Sequence, residues 1–148
     1  MMVEMKRYEK WTWAALRLGM GWLFLWAFFD KLFGLGFSTV AEKSWVAGVS
    51  PTEGFLLHAA RGPLAAIFQN ISSPIVDWLF MLGLLGLGVA LLLGIFTKVA
   101  SYGGMALVVL MWLALLPPEH NPVLDEHIIY ALVLFGISKF GATGWWTA

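Results

Sequence analysis

Four long apolar runs, parted by short polar stretches, restrict what this chain can fold into. The first, Trp11 to Phe33, holds about 23 mostly apolar positions. At about 1.5 Å per residue, a helix of that length crosses the roughly 30 Å hydrocarbon core of a bilayer. Comparable runs span about residues 75–96, 99–116 and 122–140. Only 12% of the chain is charged and 60% is hydrophobic, where a soluble domain carries about 25% charge. The expectation is an all-α membrane protein of one domain over residues 1–148. Its core would be a four-transmembrane-helix bundle, with short cap helices in the loop between helices one and two.

The basic N-terminal flank (Lys6, Arg7, Lys10) before an apolar run resembles a signal peptide. The run is much longer than the roughly 7–15 residues of a signal core, and no small-residue cleavage site follows, so it reads as a retained span. Trp11 and Trp13 sit where an interfacial belt belongs, and Trp145 and Trp146 would anchor the other end of the chain. Asp30 and Lys31 mark the far end of helix one, which Gly34 and Gly36 stop. Arg17 lies about two turns inside it; Glu4 and Glu9 are the nearby acids, and lipid phosphate, backbone carbonyls, a ligand or snorkelling to the headgroups are its alternative partners.

Residues 37–73 mix polar and apolar positions. Thr39 with Glu42, and Ser50-Pro51-Thr52-Glu53, look like helix starts, while Gly62-Pro63 breaks the second of these helices. A cap of short helices on the membrane surface is expected there, with a soluble linker as the alternative. Ser73-Pro74 reads as the start of helix two, with Asp77 in its first turn where the helix dipole favours an acid. Gly86, Ala90 and Gly94 recur every fourth residue and could form a smooth packing ridge, or could reflect only that small residues are common in membrane helices. Asn121-Pro122 reads as the start of helix four. Lys6, Arg7, Lys10, Lys98 and Lys139 then share one side and Lys31, Lys43 and Arg61 the other, which favours both termini in the cytoplasm.

The densest polar stretch is PPEHNPVLDEHIIY, Pro117 to Tyr130. In a four-helix bundle it meets the end of helix one and the start of helix two, so Asp30, Lys31, Asp77, Glu119, His120, Asp125, Glu126, His127 and Tyr130 are brought to one end. Ionisable groups at membrane depth are costly and so raise a functional hypothesis. His127 can exchange protons near neutral pH, and a histidine, a carboxylate and a tyrosine can serve quinone carbonyls. The plainer reading makes Asp77 and Asp125 helix-start acids and Glu119 and His120 solvated loop residues. The chain has no cysteine and zero net charge, which excludes disulfides and thiolate chemistry and gives no argument for nucleic acid. No metal site is expected: the Glu-His pairs lack the spacing of di-iron bundles, and no phosphate-binding loop or dinucleotide fingerprint is present.

The segments RLGMGWLFLWAFFDKLFG (Arg17 to Gly34) and GLLGLGVALLLGIFTKVASYGGMAL (Gly83 to Leu107) resemble the DoxX family of small four-helix membrane proteins. SPTEGFLLHAARGPLAAIF and NPVLDEHIIYALVLFGI resemble its DoxD-like branch, whose namesake is the large subunit of a thiosulfate:quinone oxidoreductase. The resemblance covers nearly the whole chain. It implies a prokaryotic cell membrane, quinone as electron acceptor, and a second protein subunit. The expected function is a quinone-linked oxidoreductase subunit that oxidises thiosulfate or a related sulfur anion at the outer face. His127, Glu126 and Asp77 would be catalytic, while Tyr130, Lys31, Asp30, His120, Asp125 and Arg17 would bind substrate or quinone. The alternative is a non-catalytic scaffold or lipid-binding subunit of a larger complex or homo-oligomer, and a transporter is disfavoured because neither an inverted repeat nor interrupted spans are found.

Overall fold

A computed structural model describes residues 5–141. Glu4, Trp145 and Trp146, for which roles were expected, lie outside the described residues. Among those described, the chain is all-helical. Helix α1 spans Arg7–Phe33, α2 Ala65–Asn70, α3 Pro74–Leu93, α4 Thr97–Ala114 and α5 Glu126–Phe140. Short turns of helix at Ala41–Lys43, Trp45–Ala47, Gly54–Ala59 and Gly62–Leu64 join α1 to α2. Among the described residues three helices, α1, α3 and α4, are long and apolar enough to cross a membrane.

The helix boundaries follow from local chemistry. Gly34 ends α1 in the left-handed conformation (φ 67°), with its N–H on the Asp30 carbonyl at 2.7 Å. Ser73 caps α3 by accepting the Val76 N–H, and Pro74 occupies the first turn, as the sequence suggests. Two expected starts differ. Thr39 caps nothing, and only a short turn follows, at Ala41–Lys43. Helix four begins at Glu126 rather than 122: Asn121 Oδ1 accepts the N–H groups of Val123 and Leu124, closing a turn in place of a helix. Asp125 then takes the cap, accepting from His127 N–H and Ile128 N–H. The 15 residues of α5 rise only about 22 Å at about 1.5 Å each.

The core is formed by one face of each long helix, including Met20 and Phe24 of α1, Met81, Leu84 and Leu91 of α3, Val108 of α4, and Leu134 and Ile137 of α5. Close approach depends on glycines other than the expected ridge. A Cβ on Gly88 would sit 2.8 Å from the Leu25 backbone N, and one on Gly21 would sit 2.9 Å from the Leu92 N. The two glycines therefore receive each other's neighbouring leucines, and α1 and α3 lie backbone to backbone. Gly86 faces open space and Gly94 is the terminating residue of α3, so the fourfold spacing at 86, 90 and 94 is not a packing ridge. Trp13, expected at an interface, lies over Gly136 of α5 and 5.4 Å from the Phe140 ring.

Candidate functional site

The ends of α1 and α4 and the starts of α3 and α5 meet at one end of the bundle, where the short turns of residues 41–64 cover them. A second apolar cluster fastens this cover: Leu56, Ala60 and Phe68 pack with Ala114 at the end of α4. Arg61 donates its backbone N–H to Ala114 O (2.9 Å) and its Nε–H to Leu115 O (3.2 Å), supplying partners for carbonyls that the end of α4 leaves open. Gly62 (φ 75°) touches the Leu116 carbonyl where any Cβ would stand.

A half-open cavity of about 150 Å³ lies beneath this cover, between α1, α3 and α4. Its walls are apolar, with Phe55 and Leu56 from the cover, Phe80 from α3 and Met111 from α4. Lys31, half-buried, is the one charged residue in its lining, and its Nζ lies 6.0 Å from the Phe80 ring centre. The ammonium makes no hydrogen bond or salt bridge among the described residues. The neighbouring Asp30 is committed elsewhere: its carboxylate accepts from Phe37 N–H, Ser38 N–H and Ser38 Oγ–H at 2.7–3.1 Å, folding the chain back after α1.

Asp77 forms part of the same wall indirectly. Its Oδ1 accepts the hydroxyls of Ser50 and Thr52, each at 2.6 Å, and Thr52 lines the cavity. The carboxylate thus holds the cover on the first turn of α3. Sequence reasoning missed Ser50, Thr52 and Arg61 in these roles. Ser50 does cap locally, accepting the Glu53 N–H at 3.0 Å, but a hydroxyl reaching 27 positions along the chain leaves no local pattern.

Glu119, His120, Asp125 and Glu126 lie on the other side of the Gly54–Ala59 turn. A polar groove of about 470 Å³ is lined by His58, Arg61, Glu119, His120, Asp125 and Glu126, among others. His127 Nδ1 stands 2.8 Å from Asp125 Oδ2, so the carboxylate selects the tautomer protonated at Nδ1 and leaves Nε2 as an acceptor. One donor atom from each of Asp125, Glu126 and His127 falls within 4.8 Å of the others. Both Asp125 oxygens are already engaged by the start of α5, whose positive pole disfavours a cation. Tyr130 packs on the bundle core. The expected single cluster is therefore two: Lys31 with Asp77 on one side of the turn, and His120, Asp125 and Glu126 on the other.

Arg17 belongs to the opposite end and is wholly buried. Its Nη1 donates to the Leu91 carbonyl in the last turn of α3. That carbonyl is available because both Gly94 N–H and Ile95 N–H close on Ala90 O. A backbone carbonyl is thus a partner of Arg17.

No family model, curated protein or solved structure matches the chain.

Proposed function

We propose that this chain is a quinone-linked redox subunit embedded in a prokaryotic cell membrane, as its resemblance to DoxX proteins implies. In this reading α1, α3, α4 and α5 form a membrane bundle with both termini cytoplasmic, and the cover over the Lys31 cavity faces outward. The observation that carries the reading is Lys31, an ammonium in an otherwise apolar cavity. A cavity of this size with mostly apolar walls accepts a six-membered ring, and the ammonium donates to a quinone carbonyl. Exposed Ile71 and Leu110 belong to the same lining and give an apolar path for the tail into lipid. Two thiosulfate ions joining as tetrathionate release two electrons, and a quinone taking them with two protons becomes the quinol. His127, with Asp125 and Glu126, supplies proton-exchanging groups at the same end of the bundle, and a second subunit completes the site for the sulfur donor.

The test is quinone binding by the purified chain in quinone-free lipid nanodiscs. Organic extraction of the native preparation should yield quinone, and a short-tailed quinone should bind at least about tenfold more weakly to Lys31→Met, as loss of a charge-assisted bond predicts. Helix content by circular dichroism should stay unchanged. Extraction of ordinary lipid alone, together with equal binding by the variant, would reject this reading in favour of a scaffold or lipid-binding subunit.

A further inference from the structure

We infer that the Lys31 cavity selects a naphthoquinone head group over a dimethoxybenzoquinone. This rests on the quinone reading above and follows from a count of donors. Lys31 and Thr52 are the polar side chains in the lining. The Thr52 hydroxyl hydrogen is given to Asp77 Oδ1 at 2.6 Å, so Thr52 turns only acceptor lone pairs toward a ligand. Pro51 has no N–H, and the Leu56 N–H is held by Thr52 O at 2.9 Å. Lys31 is therefore the side-chain donor of the lining, able to satisfy oxygens along one edge of a ring.

A dimethoxybenzoquinone carries four oxygens around a single ring. Lys31 can reach a carbonyl and the methoxy group beside it, which leaves the opposite carbonyl and the second methoxy oxygen against apolar walls. A naphthoquinone carries two oxygens. One meets Lys31 and one is left over, while the fused second ring presents only C–H edges. Those edges suit Phe55, Phe68 and Phe80, rings contributed by the cover, α2 and α3, and the polarisable Met111. An acceptor buried without a donor weakens binding, and the benzoquinone buries one more than the naphthoquinone.

The experiment compares a naphthoquinone and a dimethoxybenzoquinone bearing the same short prenyl tail, each titrated into the full chain in quinone-free nanodiscs. The naphthoquinone should bind about tenfold more tightly or better. Val76→Thr, which places a hydroxyl in the wall at nearly constant volume, should narrow that ratio. Equal affinities, or tighter binding of the dimethoxybenzoquinone, would overturn the selectivity while leaving quinone binding intact. Failure of both quinones to bind would overturn the quinone reading itself.

Discussion

Replacing Asp77 with alanine should release the cover from the bundle without unfolding it. The carboxylate is 8% exposed and one of its oxygens accepts two hydroxyls at 2.6 Å. A hydrogen bond to a charged group contributes about 1.5–3 kcal/mol. Thr52 is 5% exposed, so its hydroxyl cannot turn to water when the acceptor is removed. Ser50 is half-buried and recovers part of its loss. Taking the low end for each gives about 3 kcal/mol, or roughly a hundredfold in the opening equilibrium. The Arg61–Ala114 bond and the Leu56–Phe68–Ala114 contacts remain, so the loss should be local. Hydrogen exchange by mass spectrometry in nanodiscs reads it directly: peptides carrying the Glu53, Leu56 and Ala60 amides should exchange about a hundredfold faster, with the centres of α3 and α4 unchanged. Asp77→Asn keeps an acceptor oxygen and should show a smaller increase. Unaltered exchange over residues 50–60 in Asp77→Ala would refute the latch, and equal loosening of α3 would show that Asp77 supports the bundle rather than the cover.

Four further substitutions probe the packing. Gly88→Ala should cost about 1–3 kcal/mol, because its Cβ would meet the Leu25 backbone; Gly86→Ala, in open space, should be neutral or stabilising by up to about 1 kcal/mol, and thermal unfolding of the two variants in one detergent ranks them. Arg17→Leu leaves the buried Leu91 carbonyl without that donor and should cost about 1–3 kcal/mol, read as a lower melting temperature that an unchanged value would contradict. Gly62→Ala combines a left-handed backbone with a clash on the Leu116 carbonyl, so limited proteolysis should cut the 50–64 segment faster than in the parent chain.

The sequence carries those features that depend on local chemistry. The length and hydropathy of α1, α3 and α4 are visible, as is the Ser73-Pro74 start, because each is decided within a few residues. Asn121-Pro122 misleads because Asn121 can close a turn with the same oxygen that would cap a helix, and Asp125 four positions on competes for the cap. The glycine ridge misleads for a different reason. A spacing of four selects one face of a helix without saying which face meets a neighbour, and α1 meets Gly88 rather than Gly86. The gathering of polar residues at one end follows from the order of the helices. Their separation by the Gly54–Ala59 turn depends on where the cover docks, which long-range contacts of Thr52 and Arg61 decide.

The polar richness of residues 117–130 has a structural cause that redirects attention to Lys31. Prolines at 117, 118 and 122 lack N–H groups and end the regular helix, leaving carbonyls and amides near the apolar bundle without helical partners. Backbone groups packed against an apolar bundle must find their partners in protein or water. Here side chains supply that service: Trp112 Nε1–H donates to Val123 O, Asn121 holds two amides, Asp125 holds two more, and Arg61 reaches Leu115 O. Asp30 does the same work for the turn after α1, and Asp77 holds the cover through the hydroxyls of Ser50 and Thr52. A side chain committed in this way cannot serve a ligand without giving up a bond the fold uses. Among the described residues, Lys31 is the half-buried charged candidate that carries no such commitment, and it stands in a cavity rather than on a backbone. Lys31→Met should therefore change ligand binding while leaving thermal stability within about 0.5 kcal/mol, whereas Asp125→Ala should lower stability by about 0.5–2 kcal/mol through loss of the cap. A Lys31→Met chain that bound quinone normally but melted early would assign Lys31 to the fold instead.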